Sequence, residues 1–299
     1  MNRLLHILLT YFISASCFAQ VFQPEWIESK HVASRYIQVY RPADIPKETK
    51  LPVLYMHDGQ NLFESKSAYG GKEWRIDETL DSLIQNKLIR PVMVVGIWNN
   101  GEYRRCEYFP EKALKYLEDS LVKVLYANEL KGNPLADEHL QFVVEELKPY
   151  IDTHYATLSD QRNTFIGGSS MGGLSSMYAM MEYPQVFSAA ICISTHWPGC
   201  FSIKGEKVPL ALRDYIFNQE KKKFKKHFFY FDCGDQTLDS LYPPLQEKAD
   251  FIFHLKKVKR YHSLRFPGAS HNETSWSQRF HIPMMKLLGT KRRTRIRNS

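Results

Sequence analysis

Thr164-Phe165-Ile166-Gly167-Gly168-Ser169-Ser170-Met171-Gly172-Gly173-Leu174 decides the fold. An apolar run enters a glycine pair, then Gly168-x-Ser170-x-Gly172, then a helix-compatible segment from Leu174 to Tyr183 that Pro184 stops. Strand, sharp turn and helix in that order turn a common G-x-S-x-G string into a nucleophile elbow. Glycines two before and two after the serine are required because a Cβ at either place would collide with the neighbouring strand or helix. Such a turn leaves Ser170 at the positive end of the new helix, with the Met171 N–H aimed where an oxyanion would form. Ser169 fails the same spacing, since Met171 stands two residues after it. A phosphate-cradling loop is disfavoured because the lysine of a Walker loop is missing.

Around this stretch, β-like and helix-like runs alternate from residue 34, as in an α/β domain with a largely parallel sheet. Arg35 to Tyr40 alternates like an edge strand, whereas Leu51 to Met56 and Pro91 to Trp98 are apolar throughout, as buried strands must be. Residues 99–135 form an irregular aromatic insertion suited to a substrate-facing loop. Leu140, Val143, Val144, Leu147 and Ile151 share one helical face. After the elbow come strands at Phe187 to Ile193, Phe228 to Asp232 and Leu264 to Pro267, a helix at Tyr242 to Phe253, and a closing helix at Ile282 to Leu288. Residues 205–226 read as a polar connection with a lysine cluster.

In a doubly wound sheet, functional groups collect beyond the carboxyl ends of the strands. Ser170 follows one strand, Asp232, Asp235 or Asp239 a later one, and His271 the last, which is the nucleophile–acid–histidine order of an α/β-hydrolase. A serine hydroxyl needs an imidazole to take its proton and a carboxylate to fix that imidazole's tautomer. His271 is the predicted base and Asp239 the favoured acid, with Asp235 in the same loop as the alternative. The second oxyanion donor is expected from His57-Asp58-Gly59-Gln60, as the Gln60 N–H. Asp58 is read as pinning that turn through backbone N–H groups. Trp98, His196 and Trp197 follow strands at the same end and are predicted to wall a substrate pocket. Trp74 is read as structural.

Length and composition allow one large core: 299 residues, 43% hydrophobic. The formal charge of +8 does not indicate a nucleic-acid partner, because Arg3 supplies one unit and Lys291, Arg292, Arg293, Arg295 and Arg297 five, leaving +2 on the body. Residues 1–19 read as a secretory signal: Arg3, the apolar run Leu4 to Ile13, and an exit ending at Ala19. The run is too short to span a bilayer, so no stable membrane insertion is expected. The resulting division is a leader over 1–19, one catalytic domain over 20–289 and a disordered basic tail over 290–299, in a periplasmic or secreted protein. Cys106, Cys192, Cys200 and Cys233 remain after the leader; an exported chain could pair them, although Cys192 and Cys233 sit in strand-like runs. With no C-x-x-C and no zinc spacing, neither metal nor cofactor is expected.

The strings Met56-His57-Asp58-Gly59-Gln60-Asn61-Leu62-Phe63, Glu145-Glu146-Leu147-Lys148-Pro149-Tyr150-Ile151-Asp152, Gly167-Gly168-Ser169-Ser170-Met171-Gly172-Gly173 and Pro267-Gly268-Ala269-Ser270-His271-Asn272-Glu273 resemble the esterase D-type putative esterase family over roughly residues 33–289. The family includes siderophore esterases, feruloyl and acetyl-xylan esterases, S-formylglutathione hydrolases and mycolyltransferases. The resemblance implies an α/β-hydrolase fold, metal-free hydrolysis of a small-molecule or carbohydrate ester, a Ser170–acid–His271 triad, and Gln60 and Met171 as oxyanion donors. It also favours Asp239, a few residues past the glycine that ends its strand; relatives often carry Thr where this chain has Asp235. An acyltransferase to a carbohydrate or lipid alcohol would use the same residues, and a non-catalytic binding module on the same fold is the remote alternative. The leader disfavours glutathione chemistry.

Overall fold

A strand covered on both faces must be apolar at every position, and the computed structural model, which describes residues 20–290, places the continuous runs accordingly. Its nine strands are β1 (Gln20–Val21), β2 (Glu25–Ile27), β3 (Arg35–Arg41), β4 (Val53–His57), β5 (Met93–Ile97), β6 (Thr164–Ser169), β7 (Ala189–Ile193), β8 (Phe228–Cys233) and β9 (Arg260–Arg265). They form one sheet in the order β1-β3-β5-β4-β6-β7-β8-β9, with β2 also paired to β3. All neighbours from β5 to β9 are parallel, while β3 runs antiparallel to β5 and to its two N-terminal partners.

The sheet separates two cores. Val53 and Tyr55 of β4 point with Val95, Ile166 and Tyr178 into one; Leu54 and Met56 point with Phe165, Ile191 and Phe280 into the other. The period-two alternation of a strand therefore serves both faces, which is why no polar residue interrupts Val53–Met56. From β4 the chain crosses to β5 on one side and later returns to β6 on the other. That reversal opens a crevice beyond the carboxyl ends of β4 and β6, the place where such sheets bind ligands.

Three expectations are corrected. The Arg35–Tyr40 strand is not an edge, because β1 and β2 pair along its outer side and only Tyr36 of the strand is exposed. Residues 205–226 contain a helix, Lys207–Phe217, whose Val208, Ala211, Leu212, Tyr215 and Ile216 are buried; their i, i+3, i+4, i+7 spacing is a helical stripe that the surrounding lysines obscured. The terminal strand, Arg260–Arg265, begins four residues ahead of the expected Leu264 to Pro267 run and overlaps it only at Leu264 and Arg265; it is half exposed at the sheet edge. The insertion at 99–135 folds into short helical segments: Gly101–Tyr103, Arg104–Tyr108, Glu111–Tyr116 and Asp119–Asn128. The expected leader and the tail beyond Thr290 lie outside the described residues. Cys106, Cys192, Cys200 and Cys233 are buried free thiols. Among the described residues no helix is long and apolar enough to cross a membrane.

Candidate active site

Ser170 leaves β6 with φ 56° and ψ −122° and caps the helix Met171–Glu182. A non-glycine residue in that region carries about 1–3 kcal/mol of strain, which the surroundings must hold in place. They do so through the backbone: the Ser170 N–H donates to Ile193 O (2.9 Å), and the Ser170 carbonyl accepts from the N–H groups of Leu174 and His196 (3.1 Å each). A Cβ on Gly168 would lie 2.9 Å from the Gly172 carbonyl carbon, so the elbow closes this tightly only with glycine there.

Asp239 is fully buried and collects three donors. His271 Nδ1 lies 2.6 Å from Oδ1, while Ser194 Oγ and the Gly234 N–H each donate to Oδ2 at 2.6 Å. Burial alone would raise its carboxyl, but the bonds from His271, Ser194 and Gly234 outweigh burial and hold it below the ordinary carboxylate value. The His271 ring stands edge-on between Trp276 (4.9 Å between centroids) and Tyr242 (5.5 Å), and the His271 backbone N–H donates to Thr237 Oγ1 at 2.9 Å. Packing on both sides plus a carboxylate behind Nδ1 leaves the Nε2 edge as the free one. Asp235 is elsewhere: its exposed carboxylate accepts from the Gly268 N–H (2.8 Å) and the Gln236 amide.

Ser170 and His271 line one cavity of about 570 Å³, together with Asp58, Gln60, Asn99, Arg104, Glu273 and Trp276. Met171 is the first residue of its helix and Gln60 the second of the short turn Gly59–Asn61, so neither N–H has a partner within its own element. Gly59 lets that turn settle on the sheet, since a Cβ there would sit 2.3 Å from the Gly96 carbonyl carbon. Asp58 is left-handed (φ 60°) and pins the turn differently from expectation. Its carboxylate takes two bonds from Arg104 (Nε 2.6 Å, Nη2 2.7 Å) and one from Asn99 Nδ2 (2.7 Å), not from backbone N–H groups. Burial opposes its ionisation, and the Arg104 guanidinium overcomes that to keep it below the usual range.

Residues 31–282 match the model of the family described as Putative esterase. The chain belongs to that esterase family. Among curated proteins, the chain is 26% identical over 172 residues to the uncharacterized protein YbbA of Bacillus subtilis, a match covering 56% of this chain and 60% of that one, so it spans less than two thirds of that relative's length. Among solved structures it superposes on a ferulic acid esterase with a TM-score of 0.67 at 17% identity, covering 91% of this chain and 98% of the other. It superposes on the enterobactin esterase FES of Shigella flexneri with a TM-score of 0.63 at 16% identity, covering 91% and 59%. At those identities the superpositions establish a shared α/β-hydrolase fold.

Of the three expected pocket walls, none lines this cavity. Trp98 turns away to pack on Tyr36 (5.4 Å), itself against Trp26. Trp197 is buried on Phe231 and donates its indole N–H to Gln246 (2.7 Å). His196 lies behind Ser170, its Nδ1 2.8 Å from the Tyr242 hydroxyl, and burial together with the nearby His271 lowers its pKa to about 3. Trp74 is structural as read, packed against Trp276 at 5.4 Å.

The support behind Asp239 had not been foreseen. Ser194 Oγ accepts from Trp276 Nε1 (3.0 Å) and Arg279 Nη2 (2.7 Å) while donating to Asp239. Arg279 in turn pairs with buried Asp232 at 3.1 Å. Asp232 was the readable signal: an acid inside a buried strand requires a cation or a cluster of donors.

Proposed function

We propose that the esterase cleaves its substrate through an acyl-enzyme on Ser170, with His271 as general base and acid, Asp239 as the group that orients and stabilises the imidazole, and the Gln60 and Met171 N–H groups as the oxyanion hole. The observation that carries this reading is the convergence in one cavity of a strained elbow serine with a histidine whose Nδ1 is held at 2.6 Å by a buried carboxylate. His271 Nε2 takes the Ser170 proton as Oγ bonds to the ester carbonyl carbon. The carbonyl electrons move onto oxygen and are stabilised by the two N–H groups. Collapse of the tetrahedral adduct breaks the bond to the alcohol, which leaves with the proton from His271. Water then repeats the sequence, its proton going to His271 and finally to Ser170, releasing the acid.

The substrate belongs to the siderophore, feruloyl or acetyl-carbohydrate esters, in keeping with the family and with neighbours titled ferulic acid esterase and enterobactin esterase. The leader-like residues 1–19 support a periplasmic or secreted setting, which cell fractionation with N-terminal sequencing of the mature protein tests. Ser170→Ala is expected to abolish p-nitrophenyl acetate turnover while circular dichroism stays that of the parent. Undiminished turnover would refute the assignment.

A further inference from the structure

Which half of the substrate meets which part of the cavity follows from the proton. His271 delivers its proton to the leaving oxygen, so the groups flanking His271 face the alcohol half of the ester. Glu273 is two residues on, starts the helix Glu273–Arg279, and lines the same cavity. The charges lining that cavity are Asp58, Arg104 and Glu273. Arg104 turns both Nε and Nη2 to Asp58, so that pair is internally neutralised. No other described residue donates a hydrogen bond to the half-buried Glu273 carboxylate. Apart from His271 and the elbow serines, the rest of the wall carries no ionised group and includes the amides of Gln60, Asn61 and Asn99 and the exposed ring of Tyr69.

We infer that Glu273 sets the charge selectivity of the alcohol site, favouring esters of neutral, hydroxyl-rich alcohols such as sugars over esters of alcohols that carry an anionic group such as a sulfonate or carboxylate. The inference rests on the esterase reading above and narrows it. An uncommitted carboxylate accepts from a sugar hydroxyl, whereas a sulfonate or carboxylate on the alcohol brings a like charge into a partly enclosed space, where the penalty is about tenfold after screening. The groups acting on Glu273 are Asp58, His271 and Arg104; burial first, and then Asp58, raise its carboxyl above the ordinary value. The selectivity therefore weakens as pH falls through that raised value, where Glu273 becomes neutral.

The test compares two acetyl esters that differ in leaving-group charge, 4-acetoxybenzenesulfonate and its neutral isostere 4-acetoxybenzenesulfonamide. Each kcat/KM is normalised to spontaneous hydrolysis. The expected result is about a tenfold preference for the neutral ester, falling to about twofold or less in Glu273→Gln and reversing in Glu273→Lys. A parent preference for the sulfonate, or a ratio unchanged by Glu273→Gln, would overturn the inference. Turnover that is lost in Ser170→Ala but carries no charge preference sinks the inference alone. Absence of turnover of either ester by the parent counts against the esterase reading as well.

Discussion

Replacing Asp239 by asparagine changes almost no volume and separates the two acids that the sequence left in competition. Three donors converge on the Asp239 carboxylate, all at 2.6 Å, two on Oδ2 and one on Oδ1. An amide accepts on one atom only. Its oxygen satisfies most by facing Ser194 and Gly234, and its NH₂ then points at His271 Nδ1. That nitrogen must accept, so the imidazole carries its proton on Nε2 and cannot take one from Ser170. The wrong tautomer in a serine triad costs about 10⁴ in kcat, or about 5 kcal/mol of barrier. Asp235→Asn touches only an exposed carboxylate and is expected to change the rate less than about twofold. The assay is kcat and KM on p-nitrophenyl acetate, with circular dichroism to show that both variants fold. Retention of activity within about tenfold by Asp239→Asn, or a large loss in Asp235→Asn, would refute the reasoning.

Gly59→Ala places a methyl 2.3 Å from the Gly96 carbonyl carbon and must push the Gln60 N–H out of place; kcat should fall about 10²–10³-fold, and an unchanged kcat would remove Gln60 from the oxyanion hole. Arg279→Met strands the buried Asp232 carboxylate and should destabilise by about 3–5 kcal/mol in urea unfolding, with Asp232→Asn added to it recovering part of the loss. Burial lowers the His57 pKa to about 4, against about 6.5 when unfolded. Between those values the unfolded chain binds the proton and the folded chain does not, so stability is whole above pH about 6.5 and falls as pH drops toward about 4, by about 3 kcal/mol. Buried His139, lowered by burial and by Arg35, acts in the same direction. A flat urea midpoint from pH 7 to 4.5 would contradict this.

The parts of the fold legible in the sequence were those where one physical demand acts alone. A strand buried on both faces has to be apolar throughout, so β4, β5 and β7 announced themselves. The elbow has to carry Gly168 and Gly172. The Lys207–Phe217 helix went unread because its buried stripe is diluted by charged neighbours, and the Arg35–Tyr40 strand because its covering partners, β1 and β2, are only two and three residues long. At the site, the placement of Ser170, Asp239 and His271 beyond the ends of successive strands was readable, because the order of strands along the chain dictates it. The placement of Trp98 and Trp197 was not: a residue just past a strand end can turn toward the crevice or away from it, and Tyr36 and Phe231 offered these rings better packing. The Ser194–Arg279–Trp276 support depends on contacts more than 80 residues apart, which no local pattern encodes.

Labelling the intact protein with a fluorophosphonate and mapping the modified peptide by mass spectrometry asks directly which hydroxyl is the nucleophile. The account predicts one equivalent, on Ser170, abolished in Ser170→Ala and strongly slowed in His271→Ala. A label on the adjacent Ser169, or none at all on the folded protein, would contradict it.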